Sequence, residues 1–240
     1  MPMMIYVSLL KTVYQMEKVR SMTRFLLILA VAFSSFTMAQ DYPFLQRYDS
    51  LNQIDKSQYP NGVEAVFMGN SITEGWVQQR PAFFSDNNFI GRGISGQTTD
   101  QMLLRFRPDV IALNPKKVVI LAGTNDIAEN NGKVSLSAIA GYIEGMVELA
   151  KANQIEVYLI SVLPAEIYPW RTHLKPNVQI PKLNNLLKAV AEKHKIEYVD
   201  MFSQMTNEKM GLDEIYAYDG VHPTLEGYLK MESILLPYLK

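Results

Sequence analysis

Four short stretches of the 240-residue chain carry residue types that packing alone does not call for. In Gly69-Asn70-Ser71-Ile72-Thr73-Glu74-Gly75-Trp76, a serine follows directly on the apolar run 63–68. Such a serine sits on a strand-to-helix turn, where free N–H groups and the positive end of the helix dipole can meet an anionic reaction centre. Ser71 or Thr73 could equally cap the helix that follows. In Asp219-Gly220-Val221-His222-Pro223-Thr224, an Asp stands three residues ahead of a His. On one turn that carboxylate reaches the ring Nδ1–H and leaves Nε2 free to take a proton from a serine, although D-x-x-H also occurs in plain surface turns.

Two further stretches could supply donors. Leu121-Ala122-Gly123-Thr124-Asn125-Asp126 ends the most apolar run of the chain. A carboxamide there can donate to a developing oxyanion or close an Asx-turn. In Arg92-Gly93-Ile94-Ser95-Gly96-Gln97-Thr98-Thr99-Asp100, the glycines permit close backbone approach. The Gly96 N–H could point into a site, Thr98 or Thr99 could cap a helix beginning near Asp100, and turn glycines without catalytic meaning are common. Position 73 is Thr, so the G-x-S-x-G elbow of α/β-hydrolases is absent.

The elements that must position these groups follow from hydrophobic period. Strands are expected at 64–68, 88–91, 117–122, 156–162 and 197–199, after a polar lead-in over 41–62. Between them, 135–153 places Ile139, Ile143, Met146, Val147 and Ala150 on one helical face, and 180–194 does so with Leu183, Leu186, Leu187 and Val190. A closing helix runs over 224–239 with Thr224 as its cap. This alternation implies a parallel sheet covered by helices on both faces, with functional groups at the carboxyl ends of its strands.

Taken together, in this order and spacing, the four stretches resemble the consensus blocks of the SGNH (GDSL) hydrolases over roughly residues 63–239. The GTND and DGVHP segments are the most specific. The resemblance implies a three-layer α/β/α sandwich, flavodoxin-like, around a central five-stranded parallel sheet. It implies Ser71 as nucleophile, His222 as general base and then general acid, and Asp219 as the group that orients it. The Ser71 and Gly96 N–H groups and the Asn125 side chain would form the oxyanion hole, and no metal or organic cofactor is required. The family's usual Asp before the serine is Asn70 here, so the block reads GNSI instead of GDSL. That Asp is not a triad member, and an amide can still hold the turn.

Composition excludes several other classes. Formal net charge is −1 with no basic stripe, which leaves nothing to neutralise nucleic-acid phosphates. The chain has no cysteine, hence no disulfide, thiolate nucleophile or lipid-modified cysteine, and its three histidines lack paired ligand spacing. Neither a phosphate-binding G-x-x-x-x-G-K-[ST] loop nor a clustered Asp/His set argues for a phosphoesterase.

Residues 1–39 read as leader and signal peptide. Arg24 charges the n-region, 25–36 form an apolar stretch too short to span a bilayer, and Thr37-Met38-Ala39 precede cleavage before Gln40. Met22 is a second plausible start. Loss of Lys11, Lys18, Arg20, Arg24 and Glu17 takes 23 basic and 24 acidic residues to 19 and 23, so an exported chain of one domain, 40–240, is mildly acidic. That acidity gives no grip on an anionic membrane, and no stable membrane anchor is expected.

The expected substrate is a small-molecule or glycan ester with a short acyl group, acetyl first. Trp76, Trp170 and Arg171 are candidates for a stacking wall and a polar contact. A lysophospholipase or thioesterase of the same family is the alternative, as is a non-catalytic glycan-binding module, which leaves Ser71, Asn125 and His222 without a shared purpose. Oligomeric state has no signature in the chain.

Overall fold

Along each strand of the sheet, successive side chains enter two different cores. Val66 and Met68, Val118 and Ile120, and Val157 and Leu159 lie in one apolar cluster. Ala65 and Phe67, Val119 and Leu121, and Tyr158 and Ile160 lie in the other. A strand buried on both faces reads as a continuous apolar run, as these do.

The computed structural model describes residues 16–20, 22–23 and 41–239, and the chain divides into the units Met1–Tyr42 and Pro43–Lys240. In the first unit residues 16–20 and 22–23 are helical and residues 41–42 lie in a turn; the apolar stretch and the cleavage point expected of a signal peptide lie outside the described residues. The second unit runs α1 (Asp49–Gln58), β1 (Ala65–Gly69), α2 (Ser71–Gln79), α3 (Pro81–Asp86), β2 (Phe89–Gly93), α4 (Thr99–Asp109) and β3 (Lys117–Leu121). It continues through α5 (Thr124–Ile127), α6 (Leu136–Ala152), β4 (Glu156–Ile160), α7 (Pro176–His194), β5 (Glu197–Val199), α8 (Phe202–Met205) and α9 (Leu225–Leu239).

All pairings are parallel, in the order β2-β1-β3-β4-β5. Helices α4, α6 and α7 bury their apolar faces in the first cluster, and α2, α3, α8 and α9 in the second, giving the three-layer α/β/α sandwich. Strand order reverses between β1 and β3, and in such sheets ligands bind beyond the carboxyl ends of the strands at that reversal. The segments that follow β1 and β3 carry Ser71 and Asn125.

Helix signals act as expected at several boundaries. Ser135 caps α6 by accepting from Ala138 N (3.2 Å), and Thr98 and Gln101 form a capping box at α4. Thr224 Oγ accepts from Gly227 N (3.2 Å) at the start of α9. Three expectations need correction. Helix α7 begins a turn before residue 180, at Pro176, where the missing proline N–H costs nothing; Pro181 is the interior one. Leu186 is 38% exposed, because Leu183, Leu187 and Val190 already fill the inward stripe. The polar lead-in contains α1, a helix with little apolar face of its own that is held by side-chain bonds described below.

Candidate active site

Strand β1 ends at Gly69 and α2 begins at Ser71, so the serine occupies the first helical position. Asn70 is the cap: its Oδ1 accepts from Ile72 N at 3.0 Å, the same bond a carboxylate would make. The turn is tight because two glycines let its neighbours approach. A Cβ on Gly69 would lie 2.1 Å from Thr73 Oγ, and one on Gly93 would lie 2.2 Å from Glu74 N.

His222 comes to this turn across 151 residues of sequence. Ser71 Oγ and His222 Nε2 are 2.9 Å apart, and His222 Nδ1 lies 2.8 Å from Asp219 Oδ2. The other carboxylate oxygen of Asp219 accepts from Val221 N (2.9 Å) and His222 N (2.8 Å), which folds the turn around the acid. Gly220 makes this possible with φ +81°. Partial burial on its own would raise the Asp219 pKa; the His222 N–H, the His222 ring and the Val221 N–H outweigh it and hold the carboxyl below its usual range. The group facing the imidazole is therefore an anion at neutral pH.

A second set of residues forms the donor edge. Gly96 has φ +79° and open space where a side chain would be. Glu74 secures its loop, accepting from Ser95 N (3.0 Å), Ser95 Oγ (2.5 Å) and Arg47 Nη2 (3.0 Å). Asn125 is 4% exposed and gives one Nδ2 hydrogen to Gln97 O at 2.9 Å, leaving a second for a ligand. Asn130 Nδ2 reaches Gly96 O at 3.2 Å, which docks the segment after β3 on the segment after β2. Among the described residues, neither the Ser71 N–H nor the Gly96 N–H is given to a protein acceptor. Three donors are thus available beside one hydroxyl that is hydrogen-bonded to an imidazole.

Asp126, beside Asn125, accepts from Thr99 N (3.0 Å) and Thr99 Oγ (2.6 Å) and so ties the β3 segment to the start of α4. Burial pushes its pKa up to about 6, against the opposing effect of the Thr99 bonds. One group with metal-ligating atoms within 4.8 Å occurs among the described residues, Glu144, Glu148 and His194. Lys193 Nζ already sits 2.7 Å from Glu144, so the cluster is an ion-paired clamp between α6 and α7.

The aromatic expectations divide. Trp76 is not a substrate contact: it is 1% exposed, stacked on Phe83 (5.5 Å) and Tyr228 (5.9 Å), with Nε1 donating to Glu232 (3.2 Å). Five residues past Ser71 on α2, it faces the core. Trp170 is 44% exposed, and its ring centroid is 6.1 Å from His222. Beneath it lies Tyr168, fully buried and bonded through its hydroxyl to Thr124 Oγ (2.8 Å). Arg171 is exposed, with its N–H on Tyr168 O (2.9 Å). Sequence reasoning missed Tyr218, 67% exposed and stacked 5.8 Å from His222. Its position one residue before Asp219 was the available signal. Glu74 was also missed, because its role depends on partners from distant segments.

The chain is similar in fold to several solved structures. A GDSL-like lipase of Bacteroides thetaiotaomicron is 46% identical, with a TM-score of 0.76 over 83% of this chain and 98% of that one. A second crystal structure, from Bacteroides fragilis, is 48% identical, with a TM-score of 0.78 over 83% and 97%. An acetyl xylan esterase shares the fold at 18% identity (TM-score 0.62, 74% of this chain, 100% of the other). The lipoprotein YqeF of Bacillus subtilis is 32% identical over 80 residues, a match that spans 32% of this chain and 33% of that protein. Residues 67–230, which hold all four stretches, match the GDSL-like Lipase/Acylhydrolase family, and the chain belongs to it.

Proposed function

We propose that the chain is an exported serine esterase that removes short acyl groups, acetyl above all, from hydroxyls of carbohydrate. The observation that carries this reading is the unbroken line from Ser71 Oγ through the His222 ring to Asp219 Oδ2, at 2.9 and 2.8 Å. An ionised Asp219 fixes the proton on Nδ1, so Nε2 accepts the Ser71 proton as Oγ attacks the ester carbonyl. The Ser71 N–H, the Gly96 N–H and the second Asn125 Nδ2 hydrogen take the oxyanion. His222 returns the proton to the leaving alkoxide, and a water, activated by the same imidazole, releases the acyl group from Ser71.

Substrate class rests on the surroundings of His222. Trp170 and Tyr218 offer flat apolar faces next to the imidazole, with Arg171 adjoining as a polar contact. Beyond Tyr218 a cavity of about 280 Å³ is lined by Glu166, Asn207, Leu212, Glu214 and Gly220. Aromatic faces with carboxylate and amide acceptors suit a sugar ring, which pairs apolar faces with hydroxyl donors. Acetyl xylan esterases on the same fold are in keeping with that choice. Export rests on the leader read in residues 1–39, with the enzyme domain in 40–240, and on the partial likeness to a lipoprotein.

The test is hydrolysis of p-nitrophenyl acetate, butyrate and octanoate by the wild type, Ser71→Ala and Asn125→Ala, with and without chelator. Chelator-insensitive turnover that prefers acetate, disappears in Ser71→Ala and drops about 10²–10³-fold in Asn125→Ala is expected. A folded wild type that binds acetylated oligosaccharide without cleaving it would instead establish a glycan-binding module.

A further inference from the structure

Beneath the donor edge lies a guanidinium that touches no substrate. Arg105, on α4, is completely buried. Its Nη2 donates to Gly69 O (3.0 Å) and Arg92 O (2.9 Å), its Nε to Gln97 Oε1 (2.5 Å), and its Nη1 to Asp109 Oδ2 (3.0 Å). Each of the first three partners belongs to a segment that carries a proposed oxyanion donor. Gly69 lies two residues before Ser71. Arg92 lies four before Gly96, at the end of the neighbouring strand. Gln97 accepts the Asn125 side chain on its own backbone carbonyl at 2.9 Å.

We infer that Arg105 is a positioning residue for the reaction: its guanidinium sets the relative placement of the three oxyanion donors. This inference rests on the esterase reading above. Met68–Arg92 and Gly69–Gly93 are the last register pairs of the β1–β2 ladder, and Ile94 N donates to Gly69 O (3.2 Å), so the ladder ends at these carbonyls and the chain leaves it toward Ser71 and Gly96. One planar fork bonded to both carbonyls adds a side-chain tie at that end, where the two chains leave the ladder. Charge balance alone does not explain the arrangement, since Asp109 neutralises the guanidinium through a single bond and a lysine could do the same. The other three bonds need donors spread over two nitrogens in one plane, which an ammonium lacks. A displacement of about 1 Å among reacting and stabilising groups costs on the order of 10²-fold in rate, so the placement bears directly on turnover.

The test uses the full chain with Arg105→Lys and Gln97→Met, p-nitrophenyl acetate as substrate, and kcat expressed per Ser71 titratable by a fluorophosphonate. Arg105→Lys keeps a charge for Asp109 but loses the fork; Gln97→Met keeps the backbone carbonyl that Asn125 uses and removes the side-chain bonds to Arg105 Nε and to Pro43 O (2.9 Å). Expected are a fall in kcat of about 10–100-fold for Arg105→Lys and about 3–10-fold for Gln97→Met. KM and the pH midpoint of kcat/KM, which reports the untouched His222–Asp219 pair, should stay as in wild type. Variants with wild-type kcat per site overturn the positioning role, as does a loss that tracks only the number of titratable sites. If Arg105→Lys does not fold, Gln97→Met decides alone by the same criterion. A wild type without hydrolysis beyond that of Ser71→Ala overturns the esterase reading itself, a result distinct from Ser71-dependent turnover that both variants retain in full.

Discussion

The Asp219–His222 turn and the Arg105–Asp109 assembly both serve the carboxyl edge of the sheet, and they are built under opposite constraints. The His222 and Asp219 side chains are 23% and 30% exposed, and their short turn is closed by its own backbone. Arg105 and Asp109 are 0% exposed. Asp109 takes a further bond from Asn52 of α1 (2.7 Å), and Asn52 in turn accepts from Arg92 Nε (2.9 Å). Groups that exchange protons with substrate must stay within reach of it, which keeps their environment partly wet and their contribution to stability small. Groups that only hold geometry can be sealed, and sealing makes each partner indispensable, because removing one leaves an uncompensated buried charge.

Substitutions on the two sides should therefore separate activity from stability. Of the two, Asp219→Asn gives the larger effect on turnover, a loss of about 10⁴-fold in kcat, because an amide no longer selects the required tautomer. Its thermal midpoint should stay within about 2 °C of wild type, and a large drop in a melting curve would place this turn among the sealed structures. Asp109→Ala is the converse. It should cost about 3–5 kcal/mol and lower Tm by roughly 10 °C or more, as measured by calorimetry.

Asp126 tests the boundary between the two, being sealed yet adjacent to Asn125. In the unfolded chain its carboxyl titrates near the ordinary 3.8, and in the fold at about 6. Between these values the folded state holds a proton that the unfolded state lacks. Stability from this group therefore falls as pH rises from about 4 to about 6, by up to about 3 kcal/mol, and is level above that. Asp219 has the opposite sign: its folded pKa is lowered, so its contribution is full above the ordinary carboxyl range and is lost only as pH falls through it. Asp126→Asn should erase the decline between pH 4 and 6 in denaturant titrations; an unchanged slope would assign the decline to other groups. The smallest effect expected is that of Trp170→Ala. It should raise KM for an acetylated oligosaccharide about 3–10-fold and leave p-nitrophenyl acetate nearly unaffected, consistent with stacking worth about 1 kcal/mol. Equal KM on both substrates would remove Trp170 from the binding surface.

Much of this molecule was legible because its signals are local. All five strands were read within two residues of their ends; the central β1, β3 and β4 are the clearest apolar runs because both of their faces are buried. Helix α6 announced itself through Ser135 and a stripe of five apolar residues, all buried. Ser71, Gly96, Asn125, Asp219 and His222 stood out because the four stretches that hold them occur together, in the order and spacing of the family they resemble. Helix α1 was missed for the complementary reason: its order comes from Asn52 and from Asp55, which pairs with Arg92, not from any periodicity.

The sequence by itself determined the order of the strands along the chain, the long helices after β3 and β4 and at the C-terminal end, the turn chemistry at Asn70, and the identity of the groups available to react. Those properties depend on neighbours within about four residues, the range of a cap, a turn or a helical face. Tertiary structure alone decided that Trp76 packs against Phe83 and Tyr228 while Trp170 stands beside His222. It alone decided that Ser71 meets an imidazole 151 positions away and that Arg105 gathers the carbonyls of Gly69 and Arg92. Those pairings join segments that only the assembled parallel sheet and its helices bring together, and no local propensity encodes which buried polar group will find which partner.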